Sequence, residues 1–362
     1  MSGADGAPER PLPDRFGKPL GEKSGRYAPQ PIPELAKALW YCGAGRLELR
    51  NEALRLPGPD ECLVEACWSG ISPGTERLVY GEQVPEEAYE AMRGPHMGGR
   101  FPYPVKYGYS LVGRVLHGPD SLVGRRVHVL HPHQTHCTVP AADVFPVPDA
   151  VPSARATLAS NLETAVTIVW DARASIGDRL LLVGFGAVGS LVARLLRDLP
   201  GLDLTVADVS EERRSLASGM GFSAAEPGAV AGEFDVAINT SGRGEGLQLG
   251  IDRLGTEGRM VEASWHGRAR AALALGGAFH YRRQRIASSQ VSRIPGERAP
   301  RWDHRRRKAL VFRLLERQEF DAHIGRVLHL EALPRTLMPW LREARGELAG
   351  VVCMRDDTAK GS

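Results

Sequence analysis

Along the chain the apolar positions change period twice. From about Lys37 to Pro148 they fall in short alternating runs broken by Gly, Pro and charge, such as "RLELRN", "ECLVEACWSG", "SLVGRVLHG" and "RRVHVLHP". A period of two with that punctuation predicts many short strands in a barrel-like or sandwich β-domain. At "SARATLASNLETAVTIVWDARA" the spacing becomes helical, with Ser153 placed to cap the helix. Strand and helix patterns then alternate through "RLLLVGFG", "AVGSLVARLLRDL", "LDLTVADV", "SEERRSLASGMG" (capped by Ser210), "FDVAINTSG" and "GRMVEASW". That rhythm predicts a parallel sheet covered on both faces. Beyond a Pro/Arg-rich stretch near 294–301, one more helix and two strands, "RVLHLEAL" and "ELAGVVCMR", return to mixed character.

The predicted class is α/β, with an N-terminal extension over 1–36 and a β-rich domain over 37–155. A doubly wound parallel-sheet domain covers 156–296, and a return to the first domain covers 297–356. The extension is rich in Pro, Gly and charge and lacks the apolar core of a secretory signal, so it is expected to be flexible. No apolar run of about 18 residues predicts a membrane span. The net charge of +3 is too small to argue for nucleic acid. Five cysteines with no C-x-x-C pair suit a reducing cytoplasm.

Gly184-x-Gly186-x-x-Gly189 follows an apolar strand pattern and opens a helical one. The first glycine permits a tight turn, the second lets the backbone approach a diphosphate, and the third lets helix pack on strand. Ala187 and Val188, at the helix start, offer N–H groups to phosphate. Asp208 ends the next strand, 19 residues beyond Gly189, where a carboxylate accepts the ribose hydroxyls of NAD and repels a 2′-phosphate. NAD is therefore expected over NADP. Arg213 and Arg214 pull the other way, since either can fold back toward a phosphate. Ser241 and Trp265, at the ends of later parallel strands, are assigned to the cofactor and to the substrate cleft. A Rossmann-like domain without a nucleotide is the plainer alternative.

These landmarks together resemble the medium-chain dehydrogenase/reductase superfamily, over about residues 37–356. "GISPGTE" is similar to that family's "GICGTD", and "VKYGYSLVGRV" to its "GHE-x-x-G-x-V". "ASNLETAV" is similar to the segment with a metal ligand and a nicotinamide-contacting threonine, here Thr164. The resemblance implies a GroES-like β-rich catalytic domain beside a Rossmann NAD-binding domain, and a homodimer paired through "RQRIASSQV". Its zinc ligands do not carry over. Ser72 or Pro73 stands at the first ligand position, Tyr109 and Ser110 at the His–Glu pair, and Ser160 or Asn161 at the last. Hydroxyls and amides are poor zinc ligands, so a zinc-free member is expected, most similar to the bacteriochlorophyllide-dehydrogenase-like branch. No metal site is assigned.

Without zinc, an acid or base must come from side chains. Tyr109, at a lost ligand position, is either the reacting phenol or a tyrosine packed in a vacated metal pocket. Thr75 and Glu76 follow the loop beside the nicotinamide; Glu76 either relays a proton or holds Thr75. Glu163 and Ser72 are assigned to the substrate. "HVLHPHQTHC" offers His133 or His131 as acid/base, or simply solvated loop histidines. It has no spacing that marks a metal site.

Between Arg282 and Arg313 stand eleven basic residues and two acidic ones. Arg305 to Lys308 are expected on a solvated helix face, and Arg283 is expected to bind an anionic group of a small-molecule substrate. The stretch lacks the stacking aromatics of a nucleic-acid module. The expected activity is zinc-independent hydride transfer between NAD(H) and a secondary alcohol or a carbonyl compound. The alternatives are an NADPH-dependent enoyl or quinone reductase, a non-catalytic NAD-binding sensor, and a zinc enzyme with unusual ligands.

Overall fold

A computed structural model describes residues 32–343 and 346–354. The extension expected at 1–36 thus lies almost wholly outside the described residues. The β-domain opens with a hairpin, β1 (Leu35–Gly43) and β2 (Arg46–Ala53), followed by β3 (Glu61–Ile71) and α1 (Pro73–Tyr80). Six shorter strands follow: β4 (Gly98–Gly99), β5 (Val105–Lys106), β6 (Leu111–His117), β7 (Arg126–Val129), β8 (His136–Pro140) and β9 (Phe145–Pro146). One sheet runs β2-β1-β5-β4, and a larger one is built around β3. Along one edge β3 pairs with β6; along the other its first half pairs with β8. Both faces of β3 are buried, which its near-continuous apolar run requires.

The helical segment that follows is broken into α2 (Ser153–Ala156) and α3 (Ala159–Ala172). Ser153 is the first helical residue rather than the cap, a place taken by Pro152. The parallel sheet comprises β10 (Arg179–Val183), β11 (Asp203–Ala207), β12 (Ser223–Ala225), β13 (Phe234–Asn239), β14 (Leu254–Glu262) and β15 (Arg285–Ser288). Between them lie α4 (Ala187–Leu196), α5 (Glu211–Gly219), α6 (Gly244–Arg253) and the short α7 (Ala278–Tyr281). Ser210 does cap α5, accepting the Arg213 N–H at 3.3 Å. The strand order is β12-β11-β10-β13-β14-β15, parallel throughout. The chain winds outward from β10 in one direction and restarts at β13 in the other. In open sheets of this kind the ligand crevice lies at that reversal, beyond the C-terminal strand ends.

The chain re-enters the larger β-domain sheet only at β16 (Ile324–His329) and β17 (Ala349–Cys353), which flank α9 (Leu333–Glu343). β17 completes the edge of β3 that β8 leaves open. The intervening α8 (His304–Leu315) packs on α3 instead, past the expected boundary at 297. Here the expectation of a solvated basic face fails: Arg307 and Lys308 are buried, and both pair with Glu163 of α3. Arg305 and Arg306 do remain exposed, over the rings of Phe145 and Trp302. No helix among the described residues is long and apolar enough to cross a membrane.

Two tests follow from this packing. Glu163→Ala leaves two buried cations without their carboxylate and should cost roughly 3–5 kcal/mol in denaturant unfolding. Burial holds the imidazoles of His131 and His323 down at about 3, while an unfolded histidine titrates near about 6.5. Below that value the unfolded chain binds more protons, so stability should be full above it and fall toward pH 3 in acid-titrated melts.

Candidate active site

The glycine loop sits at the crevice mouth, and its three glycines meet different constraints. Gly184 has φ +96°, and a Cβ there would lie 2.7 Å from the Ser241 nitrogen. At Gly189 a Cβ would lie 2.0 Å from the Gly184 carbonyl oxygen, so α4 can approach β10 only without a side chain. Gly186 is the opposite case: the nearest atom to a Cβ is Arg213 Nη1 at 4.0 Å. Packing therefore demands the first and third glycines, while the second faces open space. Bare amides of Ala187 and Val188 at a helix N-terminus, with no side chain at 186, suit a dinucleotide diphosphate.

Asp208 is buried and ties the neighbouring loops together, accepting the Phe185 N–H at 2.7 Å and the Ser210 N–H at 2.9 Å. Arg213 Nη1 stands 3.9 Å from the same carboxylate. Arg214 is turned to the main chain, donating to the Asp208 and Val209 carbonyls. Ser241 lies over Gly184 and donates to Asn239 Oδ1 at 2.7 Å. Asn239 was not foreseen. Wholly buried, it also donates to Glu262 at 2.8 Å, joining the C-terminal ends of β13 and β14. An asparagine closing the apolar run "FDVAIN" was the available signal. Thr164, half-buried on α3, donates to its own helix at the Ser160 carbonyl. Trp265, after β14, packs against the β-domain core cluster that Tyr109 also borders.

On the β-domain side, Tyr109 Oη donates to Thr75 Oγ1 at 3.4 Å. Burial raises the Tyr109 phenol above its ordinary value, with the charge of Glu76 adding to this and hydrogen bonds to Ser72 and Thr75 opposing it. A raised phenol keeps its proton, so this tyrosine is a donor rather than a base. His133 has no exposed surface and is engaged at both nitrogens, by Ser69 and Glu76. Its expected place as an acid/base in the cleft is corrected accordingly: the imidazole sits behind Glu76.

The hydroxyls at the lost ligand positions are occupied. Ser110 donates to the Thr157 carbonyl at 2.6 Å, Ser160 donates to the Tyr109 carbonyl at 2.8 Å, and His128 Nε2 lies 3.0 and 3.4 Å from the two hydroxyls. Such groups do not suit zinc, and among the described residues no cluster of three or more His, Cys, Asp or Glu could hold a metal ion. Two expected substrate contacts lie elsewhere. Glu163 faces α8, as described. Arg283 precedes β15, at the end of the parallel sheet opposite the glycine loop, and its exposed guanidinium pairs with Glu257.

With this geometry in view, the comparisons with known proteins are informative. No protein-family model matches the chain. A curated bacteriochlorophyllide relative, the 2-desacetyl-2-hydroxyethyl bacteriochlorophyllide A dehydrogenase of Cereibacter sphaeroides, is 31% identical over 203 residues, covering 50% of this chain and 59% of the relative. Among solved structures, 2R,3R-butanediol dehydrogenase from Bacillus subtilis superposes with a TM-score of 0.72 at 17% identity, covering 88% of this chain and 100% of that one. Acetophenone reductase from Geotrichum candidum, solved with NAD, gives 0.72 at 18% identity over 91% and 100%. The structural likeness shows that this chain shares the fold of these dehydrogenases. It spans less than two thirds of its curated relative.

The glycine geometry can be tested directly. Gly186→Ala should fold with near wild-type melting yet bind NADH at least about tenfold more weakly, because the methyl occupies the diphosphate's approach. Gly189→Ala should lose stability itself, since the 2.0 Å contact leaves no room. Thermal melts and fluorescence titration separate the two.

Proposed function

We propose that the chain is a zinc-independent, NAD-linked oxidoreductase that interconverts a secondary alcohol and a ketone, or works on an aldehyde. The observation that carries this reading is the Tyr109–Thr75 pair, a protonated phenol held by a hydroxyl where related enzymes would place metal ligands. A bound nicotinamide supplies or takes the hydride. In the reducing direction Tyr109 donates a proton to the developing alkoxide and Thr75 orients the phenol. Oxidation, the reverse step, requires the Tyr109 phenolate to take the hydroxyl proton, so it belongs to the alkaline range where the raised phenol ionises. Asp208 favours NAD, because its buried carboxylate lies at the end of β11 where a 2′-phosphate would meet like charge. The bacteriochlorophyllide relative supports an alcohol bearing a bulky substituent as substrate. Five cysteines, none in a disulfide among the described residues, support a reducing, cytoplasmic setting. The exposed outer edge of β15, with Ile286 on it, supports a homodimer paired along that edge.

Titration with both coenzymes and metal analysis of the purified protein check the reading: NADH should bind more tightly than NADPH, without stoichiometric zinc. Tyr109→Phe should lower kcat by about a hundredfold with little change in NADH affinity. Carbonyl reduction should hold through neutral pH and fall only in the alkaline range where the raised phenol ionises. Tight binding of NADPH alone, or a fully active Phe variant, would count against it.

A further inference from the structure

Glu76 is 1% exposed at the foot of α1, and both of its carboxylate oxygens are engaged. Oε1 accepts the Ser72 N–H at 3.0 Å, closing the first turn of α1 back on its cap residue. Oε2 accepts the Tyr41 hydroxyl of β1 at 2.8 Å and lies 3.3 Å from His133 Nε2. His133 is fixed in turn. Ser69 Oγ lies 2.6 Å from its Nδ1, and Gly108 leaves so little space that a Cβ there would stand 3.1 Å from the imidazole ring. The residue before Glu76 is Thr75, whose hydroxyl receives the Tyr109 phenol.

We propose that Glu76 is a positioning residue: it clamps the first turn of α1 onto β1 and His133 so that the Thr75 hydroxyl stands against the Tyr109 phenol, and it carries no substrate proton itself. The inference rests on the alcohol–carbonyl reading above. The groups facing the carboxylate are Tyr41 from β1, the Ser72 amide, His133 from the segment between β7 and β8, and Tyr107 and Tyr109 from the segment before β6. Burial, helped by Glu76, pushes the phenols of Tyr41 and Tyr107 well above their ordinary value, so both keep their protons. Among the described residues neither Glu76 oxygen is hydrogen-bonded to the Tyr109 or Thr75 hydroxyl.

The clamp needs hydrogen bonds of the right length rather than an ionisable group. In Glu76→Gln the amide oxygen can keep the Ser72 N–H while the amide nitrogen donates to Tyr41 Oη and His133 Nε2. His133 accommodates this by moving its proton to Nδ1, facing Ser69 Oγ, whose own hydrogen can point to the Ser110 carbonyl 2.9 Å away. Glu76→Asp keeps an ionisable carboxylate but is one methylene too short to span Ser72 and Tyr41.

The test compares the two variants in the full chain by NADH affinity, melting temperature, kcat, KM and pH profile. Expected is a loss in kcat of about threefold for Glu76→Gln and of tenfold or more, on the order of the cost of a misplaced reacting group, for Glu76→Asp. NADH affinity should stay close to wild type in both, and the Glu76→Gln pH profile should keep its shape. The reverse order, or loss of one ionisation from the Glu76→Gln profile, would make Glu76 a proton carrier and overturn the proposal. A wild-type chain that binds no nicotinamide coenzyme sinks the functional reading instead. Melting temperatures then decide the clamp alone, with Glu76→Gln above Glu76→Asp supporting it and the opposite order overturning it.

Discussion

The close approach of α4 to β10, with Gly189 against the Gly184 carbonyl, is the contact on which the parallel-sheet half depends. It sets the helix N-terminus directly beyond a buried parallel strand, so the first turn's amides converge on the crevice at the sheet's reversal point. Asp208 then locks the loop after β10 to the loop after β11 through the Phe185 and Ser210 amides. A third tie, from Asn239 to Glu262, fixes the neighbouring strand ends. One close glycine contact and two hydrogen-bond sets thus tie the loops of the rim together. A rigid rim costs a ligand little reorganisation on binding.

Buried charge does a second job at the junction between the layers. Glu163 on α3 meets Arg307 and Lys308 on α8, with Thr167 also accepting from Arg307. An ion pair of this kind is a poor source of net stability compared with apolar packing. Removing one partner, however, is severe, so it fixes which helix packs where. This explains why α8 lies against α3 while only β16 and β17 rejoin the β-domain sheet.

On the β-domain side, hydrogen bonds hold the serines that stand where the sequence resemblance would put metal ligands. Ser110 and Ser160 are bound to main-chain carbonyls and meet one buried imidazole, His128. Burial, with the charge of Lys308 behind it, keeps that imidazole neutral, far below its ordinary value. Such a set closes the space with short polar contacts and leaves Tyr109 and Thr75 as the hydroxyl groups at its edge.

The local sequence alone determined the β-domain and parallel-sheet character, the Gly184–Gly189 turn, the Ser210 cap and the acid at 208. Each is a local matter, a hydrophobic period or a residue type required by one backbone shape or one hydrogen bond. Tertiary structure alone decided which polar groups face the cleft and which face the core. His133 read as an acid/base or a solvated loop histidine, Glu163 as a substrate contact and Arg307 as part of a solvated face, yet all three are buried against partners 57 to 144 positions away. Arg283 read as an anion-binding residue, and sheet direction put it at the opposite end from the glycine loop. A side chain's partner across the fold depends on packing between distant elements, and no window of neighbouring residues contains that information.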